Sequence, residues 1–176
     1  MLKIKSYVKV KSVAEAYELN QKKNNKIIAG GVWMKIGDRR IATAIDLSGL
    51  GLDQITETDT EFVIGAMTTL REIEKHAGLA AYTDGAIRES VRHIVGVQFR
   101  NCATVGGSIF GRFGFSDVLT VFLAMDTQVE LYHAGMVSLK EFIDMPYDND
   151  ILVRILIKKD NRKVRYITHR NSATDI

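Results

Sequence analysis

Residues 100–111 combine side chains and backbone features that suit the binding of an anion. The run reads Arg-Asn-Cys-Ala-Thr-Val-Gly-Gly-Ser-Ile-Phe-Gly, and Ser116 and Asp117 follow it closely. Glycine allows a positive φ and leaves no Cβ between its amide and a ligand. Several such amides ahead of a predicted helix attract a phosphate group. The run is therefore a candidate phosphate-binding loop.

A second glycine pair, Gly30-Gly31, follows residues 26–29, which are predicted to form an apolar strand. Two such loops favour a ligand with more than one phosphate, although each pair alone also fits an ordinary turn. The chain has no Gly-x-x-x-x-Gly-Lys-Ser/Thr motif and no Gly-x-Gly-x-x-Gly motif after a strand. The sequence thus argues against an ordinary P-loop enzyme and gives no support to a Rossmann dinucleotide site.

The composition is that of a globular protein. The chain has 176 residues, of which 46% are hydrophobic and 26% charged, enough for one domain or two small ones. No apolar run approaches the ~20 residues of a membrane span, and the N-terminus has no signal-peptide core. We therefore expect a cytoplasmic protein without membrane contact.

Charge and ligand residues exclude further classes. The net charge is +3, and the basic pairs lack interleaved aromatic residues, so we expect no nucleic-acid partner. The single cysteine, Cys102, excludes an internal disulfide and a cysteine-held cluster within this chain; we expect it to be a small buried residue. The four histidines show no ligand spacing, so we predict no metal site.

Local signals predict alternating helices and strands in two subdomains, 1–58 and 59–176. The boundary falls at the polar residues 54–60, which are predicted to form a turn. Capping boxes are predicted at Ser12, Thr69 and Ser138, a helix cap is predicted at Asp84, and Asp117 is predicted to begin a further helix. Strands are predicted at residues 26–29, 43–47, 62–64, 128–132, 151–157 and 163–168. The chain ends as a new element begins, which suggests a shortened protein.

Four motifs in order make the pattern more specific: Ile-Ala-Gly-Gly at 28–31, Ala-Ile-Asp-Leu-Ser at 44–48, Ile-Gly-Ala-Met-Thr-Thr at 64–69, and the run 100–111 with Asp117. Together they resemble the FAD-binding (medium) subunit of molybdenum hydroxylases, the xanthine dehydrogenase family. The resemblance extends from about residue 4 to residue 176.

The resemblance implies an α+β protein with a PCMH-type FAD-binding fold of two α/β subdomains, and the C-terminal domain that usually follows is absent. The first loop would wrap the FAD diphosphate, and the second would add amides and a hydroxyl. Asp117 would fix the adenine-side sugar or its loop, while Ile94 and Leu152 would flank the flavin ring. The implied cofactor-binding residues are Ile28, Ala29, Gly30, Gly31, Val32, Trp33, Met34, Ile94, Thr104, Gly106, Gly107, Ser108, Ile109, Asp117 and Leu152.

The chain departs from the family pattern in the first loop. Relatives usually have Thr-Asp-Leu after the glycine pair, and this chain has Val32, Trp33 and Met34. These changes remove a hydroxyl and a carboxylate and add bulk. Ser108 also stands where relatives usually have asparagine. FAD binding with altered affinity is therefore expected.

By the same resemblance, the chain is an electron-transfer subunit of a molybdenum-containing hydroxylase or dehydrogenase. Electrons would come from 2Fe–2S clusters on an iron–sulfur subunit, after oxidation of a substrate on a molybdopterin subunit, and pass through FAD to NAD or another acceptor. The chain would supply no catalytic acid or base for hydroxylation. One alternative is a flavin-free assembly domain with the same fold. A stand-alone flavoenzyme of the vanillyl-alcohol-oxidase type is disfavoured, because no histidine or cysteine has a convincing flavin-attachment context.

Overall fold

The computed structural model describes residues 1–169, which contain two β-sheets. The first sheet is parallel and has the strand order β1-β3-β2, with β1 (Lys3–Lys9), β2 (Lys26–Ile28) and β3 (Arg40–Asp46). Helix α1 (Val13–Asn20) joins β1 to β2, and helix α2 (Val32–Ile36) joins β2 to β3. Each helix is the crossover of a βαβ unit, and such crossovers allow consecutive strands to run in the same direction.

The second sheet is antiparallel. Its strand order is β4-β5-β8-β6-β7, with β4 (Ile55–Glu57), β5 (Glu61–Gly65), β6 (Asp126–Leu131), β7 (Gly135–Ser138) and β8 (Leu152–Lys158). Seven short helices accompany it in residues 59–169: α3 (Leu70–Lys75), α4 (Ala77–Tyr82), α5 (Ala86–Arg92), α6 (Val97–Cys102), α7 (Val105–Phe110), α8 (Asp117–Leu123) and α9 (Leu139–Asp144). None of the helices within residues 1–169 is long and apolar enough to span a bilayer.

Helix starts follow local chemistry. The Thr69 and Ser138 side chains each accept the amide three residues on, and Glu72 and Glu141 reach back to the cap amides. These two predicted capping boxes are confirmed. The predicted box at Ser12 is incomplete: Ser12 accepts the Glu15 amide, but the Glu15 carboxylate accepts the Lys11 amide and not the Ser12 amide. Hydrogen bonds from Ser138 lower the pKa of the Glu141 carboxyl.

The core has two parts, and strand β8 separates them. Leu152 belongs to the larger cluster between the second sheet and its helices, whereas its neighbours Ile151 and Val153 belong to the smaller cluster with Ile45. Successive strand residues point to opposite faces, so one strand contributes to both clusters. The two core clusters are therefore connected through β8.

Three secondary-structure predictions are corrected. Residues 54–60 are not all turn, because β4 pairs with β5; residues 55–57 thus join the second sheet, and their polarity is that of an exposed edge strand. Residues 163–168 form no regular strand; Val164 and Tyr166 instead pack against the larger core. Helix α5 is capped by Gly85, because Asp84 takes a positive φ of 48° one residue earlier.

Candidate functional site

The parallel strands of the first sheet form a candidate binding edge. Its strands are parallel, so their carboxyl ends lie at one edge, the position at which open α/β sheets bind ligands. Gly30-Gly31 leaves β2 at this edge, and Asp46 ends β3 beside Ile28. The predicted first loop therefore begins where a ligand has access.

Asp46 organises the turn at this edge. Its carboxylate accepts the Ser48 amide at 2.8 Å, the Ser48 hydroxyl at 2.7 Å and the Tyr7 hydroxyl. Burial by itself would raise the pKa of Asp46, but hydrogen bonds from Tyr7 and Ser48 and the charge of Lys9 keep it below its ordinary value. These donors leave Asp46 a structural role in the turn.

Gly30 puts the two glycine segments in contact. A Cβ built on Gly30 would lie 1.8 Å from the carbonyl oxygen of Cys102 and 2.4 Å from its carbonyl carbon. Only a residue without a Cβ allows this approach. The first loop is thereby placed against the end of α6, immediately before Thr104.

Cys102 differs from its expected environment. Its side chain is exposed, and it is a free thiol. It is the last residue of α6, and its backbone carbonyl, rather than its side chain, meets Gly30. The expectation of a buried apolar residue is therefore wrong.

The first loop offers unpartnered amides. Gly31 has a φ of +65°, and the space in front of its absent Cβ is open. Helix α2 starts directly after it, and its first bond is donated by the Lys35 amide to the Gly31 carbonyl at 3.1 Å. Within residues 1–169, the amides of Val32, Trp33 and Met34 have no hydrogen-bond acceptor. Such groups attract an anion.

The second glycine pair has a different role from that of an open loop. Gly106 and Gly107 lie in the first turn of α7, not ahead of a helix as predicted. The Gly106 amide donates to the Ala66 carbonyl at 2.9 Å, and a Cβ on Gly106 would lie 2.5 Å from that same oxygen. Gly106 is therefore required for close packing of α7 on the second sheet.

The remaining first-turn amides of α7 are also occupied. The Val105 amide donates to the Thr68 carbonyl at 2.9 Å, and the Ser108 amide donates to the Thr104 carbonyl at 3.1 Å. The Gly107 amide donates to the Thr104 hydroxyl oxygen at 3.2 Å. The amides of this segment are thus used within the protein, which leaves side chains as its means of contacting a ligand.

Thr104 retains one such group. Its hydroxyl oxygen accepts from Gly107, and its O–H remains available as a donor. The Ser108 hydroxyl instead donates to the Thr104 carbonyl at 3.0 Å. Asp117 begins α8 and accepts the Tyr166 hydroxyl, so its carboxylate is tied to the segment that follows β8.

Three residues that were predicted to contact the flavin or to belong to the second loop pack in or against the larger core. The side chain of Ile109 is fully buried, and that of Leu152 is 5% exposed, both in the larger core. Ile94 is half-buried against the same core. Next to it, Val95 is 79% exposed with a φ of +47°, an unusual conformation for a β-branched residue.

Sequence reasoning assigned no role to Arg100, and the structure supplies one. Its Nε donates to Glu74 at 2.8 Å, and its Nη1 donates to the Ile94 carbonyl at 3.1 Å. The two side chains are 6% and 9% exposed, and Arg71 adds a second ion pair to Glu74 at 2.8 Å. Burial would raise the pKa of Glu74, but the hydrogen bonds from Arg100 and Arg71 lower it. The arginine of the Arg-Asn motif is the sequence signal for this ion pair, which joins α3 to α6.

Two adjoining concavities lie near the second glycine segment. Thr69 lines both of them and forms an isolated bridge with Thr104. Their volumes are about 200 Å³ and about 590 Å³, and Asp53, Thr69 and Glu72 line both. Asp53 and Glu72 disfavour an anion in the smaller concavity, whereas Arg71 and Lys75 also line the larger one. No residue of α2 lines either concavity. Among the described residues, no group of three or more potential ligand side chains is arranged for a metal ion.

Comparison with known proteins identifies the family. Residues 2–159 match the family described as the FAD binding domain in molybdopterin dehydrogenase. The chain belongs to this family. FAD is accordingly the cofactor of the domain, and the α+β fold and the resemblance stated above are confirmed.

Individual relatives agree with the family assignment. The chain is 28% identical over 167 residues to YgfM, an uncharacterized protein of Escherichia coli K12, covering 90% of this chain and 61% of that protein. It is similar to the structure of a Cu,Mo-CO dehydrogenase, with 26% identity, a TM-score of 0.80, and coverage of 91% of this chain and 61% of that one.

A third similarity supports the fold alone. Quinoline 2-oxidoreductase from Pseudomonas putida 86 matches with 20% identity and a TM-score of 0.77, covering 89% of this chain and 59% of that chain. The chain thus spans about three-fifths of the length of the relatives it matches.

Proposed function

We propose that this chain holds FAD as an electron-transfer component of a molybdenum-containing hydroxylase or dehydrogenase. The observation that carries the proposal is the set of amides at Val32, Trp33 and Met34, which have no acceptor in the described part of the chain. The Gly30–Cys102 contact holds this loop against the segment that precedes Thr104. Convergent N–H groups stabilise a diphosphate, which carries about two negative charges.

The predicted contact residues fall into two groups in this proposal. Gly31, Val32, Trp33 and Met34 face the diphosphate with their backbone, and Thr104 donates its hydroxyl proton. A second set positions these groups by packing or by hydrogen bonds within the protein. This set contains Ile28, Ala29, Gly30, Ile94, Gly106, Gly107, Ser108, Ile109, Asp117 and Leu152.

Bound FAD would accept electrons one at a time from 2Fe–2S clusters. It would then pass two electrons to NAD⁺ or another acceptor. The iron–sulfur and molybdopterin subunits of one cytoplasmic complex are the proposed partners. The residues of this chain bind and orient the cofactor. Substrate hydroxylation would take place on the partner, so the isolated chain should not catalyse it.

The first experiment measures FAD on the purified chain by its visible absorption and by equilibrium dialysis. We expect about one FAD per chain. The variant Thr104→Val should bind FAD at least about tenfold more weakly, because it loses a hydrogen bond to a charged group. Thr104→Ser keeps the hydroxyl and should bind like the wild type.

Thr104 also caps α7, so a second control separates the cap from the contact. Ser138→Ala removes the cap of α9, which follows β7 at the edge of the second sheet; it should lower stability by about 1 kcal/mol and leave FAD binding unchanged. A chain that refuses added FAD would favour the flavin-free assembly domain. Co-purification with an iron–sulfur subunit, followed by NAD⁺ reduction assays, tests the proposed partners and acceptor.

A further inference from the structure

Three aromatic side chains form an exposed group beside the first loop. The Trp33 ring lies 5.9 Å from the Phe113 ring and 5.7 Å from the Phe115 ring, centroid to centroid. The two phenyl rings are stacked at 5.2 Å. We call these residues, Trp33, Phe113 and Phe115, the ring cluster.

The ring cluster joins the two segments of the site a second time. Trp33 comes from the first turn of α2, and the phenylalanines come from the segment between α7 and α8. The first contact is that of Gly30 with Cys102. The first loop, which carries the α2 amides, therefore contacts the second segment at Gly30 and again at Trp33.

The rings remain largely open to water despite their mutual contacts. Trp33 is 54% exposed, Phe113 43% and Phe115 57%. An exposed aromatic patch at a binding loop is unfavourable in water unless something covers it. A flat ring is the occupant that aromatic faces and edges accommodate best.

Within residues 1–169, no arginine or lysine forms a cation–π contact with the rings of the cluster. Arg112, which lies next to Phe113, turns its guanidinium to the Phe142 ring at 4.0 Å and the Tyr147 ring at 4.6 Å. It also donates to the Met145 carbonyl. Its charge is thus directed to α9 and the residues after it, away from the ring cluster.

We propose that the ring cluster stacks on a planar heteroaromatic ring of bound FAD, which makes Trp33 a specificity-determining residue for ring-bearing diphosphates. The inference rests on the proposed FAD site. A ring linked to the diphosphate lies within reach of α2, since the same helix carries the amides and the Trp33 side chain. Either the adenine or the isoalloxazine has the required chemistry.

Trp33 is the single tryptophan of the chain, so the protein's tryptophan emission reports on this position. ADP and FMN serve as probes for the two rings. If the adenine stacks, ADP shifts and weakens the Trp33 emission. If the isoalloxazine stacks, contact with Trp33 quenches the fluorescence of bound FAD and FMN, and Trp33→Phe restores it. One of these two results is expected.

Affinity variants test the same contact without fluorescence. Trp33→Leu keeps an apolar side chain but loses the ring, and we expect FAD to bind roughly 5- to 100-fold more weakly. Trp33→Phe should retain most of the affinity. Ile36→Ala is the matched control, because Ile36 is an exposed apolar residue of the same helix outside the ring cluster; it should leave FAD affinity unchanged.

The outcomes separate this inference from the proposed function. Retention of FAD by the wild type, with no fluorescence response from either probe and normal affinity in Trp33→Leu, overturns the stacking alone. A wild-type chain that does not bind FAD overturns both. Trp33 emission that changes with protein concentration but not with ADP or FMN shows that another protein surface covers the rings, and this also overturns the inference.

Discussion

Substitution of Gly30 by alanine should separate the two halves of the site. The new Cβ would lie 1.8 Å from the Cys102 carbonyl oxygen, whereas ordinary contact begins at about 3.4 Å. The backbones must therefore move apart by about 1.6 Å, because neither contacting group is a flexible side-chain end. Overpacking of this kind costs about 1–3 kcal/mol. At 2–4 °C per kcal/mol for a chain of this size, Tm should fall by up to about 12 °C.

The assay combines thermal denaturation by circular dichroism with FAD binding by equilibrium dialysis, well below Tm. We expect Gly30→Ala to bind FAD at least about tenfold more weakly, because displacement of Thr104 from α2 removes a charge-assisted hydrogen bond. Gly51→Ala is the control: Gly51 has a φ of +69° with open space before its Cβ. It should cost about 1–2 kcal/mol through backbone strain and leave FAD affinity unchanged.

Two results would refute this reasoning. If Gly30→Ala keeps the wild-type Tm, the Gly30–Cys102 contact is not as close as described. If it loses stability but binds FAD normally, the two segments do not act together on the cofactor.

Three further predictions concern the framework. Arg100→Met should lower the free energy of unfolding by about 1–3 kcal/mol, because buried Glu74 then keeps only its pair with Arg71 and the Ile94 carbonyl loses its donor. Urea denaturation measures this, and Arg92→Ala, which breaks an exposed pair, should change it by at most about 1 kcal/mol. Because the pKa of Glu74 is lowered in the folded state, its charge stabilises the fold at pH values above its ordinary pKa of 4.5, and this stabilisation should disappear as pH falls through the folded-state pKa. Glu74→Gln should lose that part of the pH dependence of the unfolding free energy, and equal pH profiles for the two proteins would contradict the assignment. Arg112→Ala should cost about 1–2 kcal/mol through loss of its contact with the Phe142 ring, and an unchanged Tm would show that the contact is not stabilising.

The sequence determined the helix starts where both cap partners are local. Thr69 and Ser138 each have a glutamate three residues on, and the structure contains both capping boxes. It also determined the family, because the glycine pairs, Thr104 and the Gly-Ala-Met-Thr-Thr motif occur in a fixed order. Such signals need only neighbouring residues or their order along the chain, so they can be read without coordinates.

The roles of the glycines were decided only by the tertiary structure. Gly30 and Gly106 look alike in sequence to Gly31 and Gly107, yet the first two are close-packed against Cys102 and Ala66, and Gly31 faces open space. These roles depend on which distant backbone lies within a few ångströms, and local propensity carries no information about that distance. The same holds for the Arg100–Glu74 pair and for the meeting of Trp33 with Phe113 and Phe115. The sequence thus predicted a site with two glycine segments, and the fold decided that the first presents amides while the second supports them.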